Sequence, residues 1–324
     1  MKQTTQMDKT DPYEITRALS ALNPWGRAAK HNWALVPQTS AEPFVVTAVD
    51  ERKNAGPVAG RLLLFPGFAT FRDFMITRQV RDFGVETGPV DFRHYEAVGL
   101  KNGDVELFSY EPGYVPLPPS PDERKVLAPL LLECYGLLLR MEENPDLPLA
   151  YMEKKAMFAR KEVVDGVWVD GPFLLPGDAV QQTEQVVLSR RACTKAKELP
   201  VFPKEVWEID FVLVPAYHTQ EPRPRFLYLL AAVNAATGER MVWEKLSVDG
   251  KENGLKRLWE GHAQRLLDAV VAWGRVPGEV HVRSGRMMRF LRPLGLQLPF
   301  KLVQHAKLPA LDAALTHSIQ TKKV

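Results

Sequence analysis

Apolar and polar residues alternate along some stretches of the chain and recur every three or four residues along others, which separates strands from helices. Pro12 to Leu22 has helical spacing, with Asp11 as N-cap and Pro12 in the first turn. FVVTAVD (44–50) and GRLLLFPGF (60–68) read as strands, separated by a polar turn containing Asn54 and Gly56. FRDFMITRQVRDFG returns to helical spacing at Phe71, Phe74, Met75 and Val80, and Gly84 stops it. DVELFSY (104–110) is again a strand. The spacing then predicts a long helix from about 121 to 142, opened by Ser120 as N-cap, Pro121 and the acids Asp122 and Glu123, and closed before Asn144-Pro145. Its apolar residues lie nearly all round, which predicts central burial, and Pro129 inside it is a place for a kink. KEVVDGVWV predicts a hairpin turning at Asp165-Gly166, and EQVVLSRR (184–191) a further strand. TKAKELPVFPKE (194–205), with two prolines and mixed charge, is expected to link two domains.

Beyond residue 205 the strands VWEIDFVLVPA (206–216), RPRFLYLLAAVNA (223–235) and ERMVWEKLSV (239–248) follow one another, the last two joined by a tight turn ending in Gly238. Residues 254–274 then form an amphipathic helix with Leu255, Leu258, Trp259, Leu266, Val270 and Trp273 along one stripe. Pro277-Gly278 turns the chain into the strand EVHVRS, a helix follows over 286–294, LQLPFKLV (296–303) is the next strand, and a last helix begins after Pro309. The expected fold class is therefore an α+β N-terminal domain (1–195) followed by an α/β domain (206–324) of order βββαβαβα with a mixed sheet.

That order is a ribonuclease H-like arrangement. VWEIDFVLVP…RFLYLLAAVNAATGERMVWEKL resembles the opening of integrase and transposase catalytic domains, and VHVRSG…FLRPLGLQLPFKLV resembles their second-acid strand and helix. Over most of residues 60–316 the chain also resembles an uncharacterised bacterial two-domain family, through Tyr110, Pro112, Gly113, Tyr114, Pro116, Trp207, Asp210, Asp249 and KLPALDAAL (307–315). That family brings no activity with it.

Composition narrows the field. The 324 residues are 45% apolar and 25% charged, ordinary globular values, and suit two domains. No apolar run approaches the roughly 20 residues that cross a bilayer. The polar start MKQTTQMDKTDPYEI lacks the core of a signal peptide, so cytoplasmic residence and no membrane partner are expected. Cys134 and Cys193 have no partner spacing for a metal or disulfide framework. The net charge of +3 conceals an asymmetry: residues 201–324 carry 18 Lys and Arg against 12 Asp and Glu, and the first 200 carry 24 against 27.

Candidate chemistry centres on Asp210. Two-metal phosphoryl transfer needs carboxylates converging on ions about 3.5–4 Å apart. Asp210 stands mid-strand where a first acid belongs, with Ile209 and Phe211 on the other face. The position after VHVRS is Gly285, and the final helix offers Asp312. Glu208 shares the face of Asp210, as acid–base work would require and as any solvated strand also allows. The plainer role for Asp210 is a carboxylate paired with a nearby arginine. No cofactor or metal site is assigned, and magnesium or manganese enters only for a divergent nuclease or transposase-like enzyme joining Asp210 to Glu208, Asp249 or Asp312. His218, His262, His281 and His305 are scattered without ligand spacing, Cys193 reads as an inert thiol, and Ser284 lacks a nucleophile elbow. SYEPGYVPLPP could serve as a polyproline ligand for a partner, but is read as a structural turn in which Tyr110 and Tyr114 pack while Gly113 turns the chain into the 121–142 helix.

Arg286, Arg289 and Arg292 step by three along one side of a helix, with Arg283 just before it. Arginine forks match phosphate oxygens, and Lys301, Lys307, Lys322 and Lys323 extend the basic surface. The expected function is non-catalytic binding or scaffolding, with a nucleic-acid or phosphate-rich partner at Arg283, Arg286, Arg289 and Arg292. A pure protein-interaction module is the other non-catalytic expectation.

Overall fold

A computed structural model describes residues 8–23, 25–80, 91–149, 156–164, 166–175, 186–219, 223–251 and 253–320. They fold as a mixed α/β protein with two mixed sheets in two compact units. One unit gathers Met1–Phe74, Phe92–Glu111 and Pro116–Ala179; the other gathers Met75–Asp91, Pro112–Val115 and Val180–Val324.

The first unit holds α1 (Pro12–Ala21), α2 (Trp25–Ala28), β1 (Asn32–Val36), β2 (Phe44–Asp50), β3 (Val58–Pro66), most of α3 (Phe68–Val80), β4 (His94–Leu100), β5 (Val105–Tyr110), α4 (Pro121–Glu143), β6 (Ala156–Val164) and β7 (Val167–Leu174). Its sheet runs β5-β4-β3-β2-β1-β6-β7, antiparallel throughout except that β1 and β6 are parallel. The Asp11 side chain accepts from the Tyr13 N–H to start α1. Ser120 and Glu123 form a reciprocal capping box at the start of α4. Leu127, Leu130, Leu131, Cys134, Leu137, Leu138 and Met141 face the sheet, packing with Trp33, Leu62, Leu64 and Phe158. Val126 and Leu139 are exposed, so α4 covers one face of the sheet and is not buried all round as its composition suggested. On the opposite face Glu96 is buried and receives Tyr110 Oη at 3.0 Å and Arg61 at 3.2 Å, beside His94. Burial would push Glu96 up, but these donors hold it below the usual carboxylate range.

The second unit holds α5 (Arg190–Lys197), β8 (Val201–His218), β9 (Arg225–Asn234), β10 (Arg240–Leu246), α6 (Gly254–Glu260), α7 (His262–Trp273), β11 (Val276–Val282), α8 (Gly285–Gly295), β12 (Lys301–Gln304) and α9 (Pro309–Gln320). Its sheet runs β10-β9-β8-β11-β12: the first three strands are antiparallel, and β8, β11 and β12 are parallel. Trp207, Ile209, Phe211, Tyr228 and Leu230 face a core built with α6, α7 and α8. Leu229, Ala231 and Val233 face Leu308 and Leu311 at the start of α9.

Several expectations change here. The segment 194–205 is not a linker: it ends α5 and begins the 18-residue β8, its prolines lying at or near the strand's start. EQVVLSRR is not a strand where described, because the Ser189 side chain accepts from Ala192 N–H and starts a helix. The long helix breaks at Gly261 into α6 and α7, and Pro277-Gly278 lie inside β11. Of LQLPFKLV only its last three residues, 301–303, are strand, and β12 then takes in Gln304. Gly113 does not lead into α4; its carbonyl accepts from Phe226 N–H, while Val115 N–H donates to Pro224. Strands β1 and β4 and helix α2 escaped the pattern reading. The Gly84 stop and Asp165 of the hairpin turn lie outside the described residues, although β6 and β7 do pair antiparallel, with Gly166 at φ +79°.

Trp25 is buried against Gly60 and Gly99, which face each other across β3 and β4. A Cβ on Gly60 would lie 2.2 Å from the Trp25 ring. Gly60→Ala should therefore destabilise the first unit by about 2 kcal/mol or more in urea unfolding. Gly56→Ala, where a Cβ meets nothing within 4 Å, should change it by no more than about 0.5 kcal/mol. Equal effects would show that the Trp25 contact does not decide the packing.

Candidate functional site

Strand alternation puts Glu208 and Asp210 on the α9 side of the sheet's central strand. Parallel pairing of β8 with β11, ending at Ile209 opposite Val282, brings Arg283 level with Asp210. Arg283 Nε donates to Asp210 Oδ2 at 3.0 Å, and its Nη2 donates to Asp312 Oδ1 on α9. The other Asp210 oxygen accepts from Phe211 N–H at 2.9 Å. Burial pushes the Asp210 carboxyl up, while Arg283 and the Phe211 N–H pull against it. Desolvation would lower Arg283, but Asp312 and Asp210 hold it above its ordinary value.

Glu208 is engaged differently. Its Oε2 accepts from Leu311 N–H at 2.9 Å, so a buried carboxylate on one strand caps the first turn of α9. Asp249 accepts from Arg257 Nη2 at 2.6 Å and from Lys251 N–H, and the Arg257 bond holds it below its usual range. Ser284 caps α8 by accepting from Met287 N–H. A Cβ on Gly285 would meet only Gln304 Oε1, at 4.0 Å, so sterics do not require glycine where an acid was sought. Asp210 and Asp312 thus converge, but on a guanidinium. As it stands this set does not fit a divalent ion, because Arg283 already holds an oxygen of each. Among the described residues no three His, Cys, Asp or Glu side chains are grouped to hold a metal.

The four arginines divide. Arg283 and Arg286 turn inward, whereas Arg289 and Arg292 are exposed. Steps of three residues rotate a side chain by about 60° per step around a helix, enough to take Arg289 and Arg292 away from the side that Arg286 occupies. Arg286 lies 4.2 Å from the Trp259 ring centroid and pairs with Asp91 at 3.2 Å, and Asp91 also accepts from Tyr228 Oη. Asp91 carried no signal in the sequence, being 195 residues from Arg286.

Beside Trp259 lies His262, fully buried, its ring 4.3 Å from that of Phe211 and neither nitrogen hydrogen-bonded to a described residue. The parallel register of β11 and β12 also brings His281 and His305 to a ring separation of 4.3 Å, with His281 on Glu279, a pairing that sequence spacing hid. Both cysteines are free; Cys134 is buried and its thiol is pushed up to about 12 by burial. No helix among the described residues is long and apolar enough to cross a membrane.

Residues 192–317 match a family model described as a domain of unknown function (DUF6930), which spans α5 to α9 and includes Asp210, Arg283 and Asp312. No curated protein and no solved structure matches the chain.

Burial moves His262 from 6.5 down to about 3. Below pH 6.5 the unfolded chain takes up a proton that the folded chain refuses, so stability falls as pH drops from about 6.5 toward about 3, by up to about 1.4 kcal/mol per pH unit. His262→Leu should remove about that much of the slope between pH 6 and pH 4, read from urea midpoints. An unchanged slope would show that the buried imidazole does not set acid sensitivity.

Proposed function

We propose that this is a non-catalytic binding protein whose second unit is a degenerate ribonuclease H-like domain. Its supports are the βββ–helix–β–helix–β–helix order, the strand order β10-β9-β8-β11-β12 and the antiparallel-to-parallel change at β8. One observation carries the non-catalytic part: Arg283 bridges Asp210 and Asp312, a tethered cation between carboxylates that a nuclease would keep for metal ions. The guanidinium pairs with both carboxylates, its single charge shared between them, without offering a Lewis acid or an activated water. Contact with nucleic acid then falls to exposed arginines, of which Arg289 and Arg292 remain from the four expected.

The rival reading, a divergent nuclease acting through Asp210, requires Arg283 to leave both carboxylates. A protein-interaction module draws support instead from Val163, Val164, Val167 and Val169, all exposed around the β6–β7 hairpin. Absence of nucleic-acid binding at low salt would favour that module.

The test removes the tethered cation. The parent protein should show no Mn²⁺-dependent cleavage of DNA or RNA and no rise in melting temperature with Mn²⁺. Arg283→Ala should be less stable by about 3 kcal/mol or more, because Asp210 is left buried without its cation. Mn²⁺ should recover part of that loss by binding the freed carboxylates. Parent cleavage that Asp210→Asn abolishes would overturn the proposal.

A further inference from the structure

Several arginines of the second unit are held by carboxylates, whereas the cations of α5 and the outer side of α8 are not. Arg257 is held by Asp249, Arg265 by Glu244, Arg275 by Glu205, and Arg283 and Arg286 by buried aspartates. Arg190, Arg191, Lys195 and Lys197 on α5 and Arg289 and Arg292 on α8 differ: all six are exposed, and none makes an ion pair with a described residue. The segment read as strand and linker is in fact a basic helix, which buries Ala196 toward the core and turns its charged side outward.

One side-chain hydrogen bond joins the ends of the two helices. Lys197 Nζ donates to Gln297 Oε1 at 3.1 Å, just beyond the C-terminal end of α8. At its other end α5 is anchored on α7, where Gln264 Oε1 accepts from Ser189 N–H at 2.8 Å. Glu198 caps the end of α5 and Asp268 accepts from Gln264, two carboxylates set against six cations. Unneutralised like charges held at fixed positions repel one another, and an extended polyanion relieves that repulsion.

We propose that α5 and the outer side of α8 form one binding surface for the phosphate backbone of duplex nucleic acid, read without sequence preference. This rests on the non-catalytic binding reading above and adds α5 as the larger half of the contact. Four of the six cations are arginines, whose planar forks match phosphate oxygens. The surface has no aromatic side chain on α5 or on Gly285–Gly295 other than the buried Phe290, so base stacking is not part of the contact. Val187 and Leu296 are exposed near its ends but form no continuous apolar face of the kind that enters a bilayer.

Fluorescence polarisation with the full chain and labelled 20-base-pair DNA and RNA duplexes of two unrelated sequences tests this across a salt series. Six phosphate contacts predict a slope of log affinity against log salt near about −5, alike for both sequences. Arg190→Glu/Arg191→Glu/Lys195→Glu should shallow that slope by about 2–3 and weaken binding at least about tenfold at 0.1 M salt. Arg289→Glu/Arg292→Glu should act in the same direction by about two contacts. Circular dichroism and melting should match the parent, since these side chains are exposed. Parent-like binding by the α5 variant would overturn the surface. So would no duplex binding by the parent, or binding only to vesicles containing phosphatidylserine. These results leave the Mn²⁺ test of Arg283 untouched, so the two failures can be told apart.

Discussion

A carboxylate at the middle of a central strand, closed over by a helix, cannot remain charged without compensation, and the second unit is organised around how Asp210 obtains it. The cation comes from Arg283, just past the end of the neighbouring parallel strand, and the same guanidinium reaches Asp312 on α9. Glu208, two residues before Asp210, caps that helix through Leu311 N–H. Two acids on one strand therefore fix both the side chain beyond β11 and the seating of α9. Leu308 and Leu311 can then bury against Leu229, Ala231 and Val233. Losing one member of such a buried pair typically costs about 3–5 kcal/mol, because the other is left charged in a low-dielectric setting. The arrangement brings two carboxylates together around a covalently tethered cation.

The same electrostatic rule recurs at other buried charges. Glu96 in the first unit is buried beside His94 and receives Tyr110 and Arg61, so its charge is distributed over several donors. Arg286 balances Asp91 and lies over Trp259, with Tyr228 completing the set. In each case a polar group is tolerated inside because its hydrogen-bonding capacity is used. His262 departs from this rule: it is accommodated as a neutral ring among aromatics. The exposed cations of α5 and α8 obey the rule from the other side, since water compensates them in the absence of carboxylates.

Much of the secondary structure was legible because local chemistry wrote it. Asp11 and Ser120 start their helices by accepting backbone N–H groups, and Gly166 lies between strands that pair. The succession of strands and helices in the second unit follows an apolar pattern visible from Trp207 onward. The errors arose where local signals conflicted with packing. Two prolines in 194–205 suggested a linker, yet β11 supplies a partner along Val201 and Phe202 and the segment runs on as strand. Val186-Val187-Leu188 suggested a strand, but Ser189 begins a helix with Ala196 facing the core.

Residue order alone determined where apolar faces recur, which caps open the helices and that Asp210 and Glu208 share one side of a strand. Those features depend on groups within a few residues of each other, and their spacing is written in the chain. Which charges become partners was decided only by tertiary structure. Asp91 lies 195 residues from Arg286, and Arg283 is 73 residues from Asp210. No local spacing encodes either pair, because sheet register and helix packing bring those atoms together. The folded chain thereby draws Arg283 and Arg286 inside, leaves Arg289 and Arg292 in water, and adds the basic side of α5 to the exposed surface.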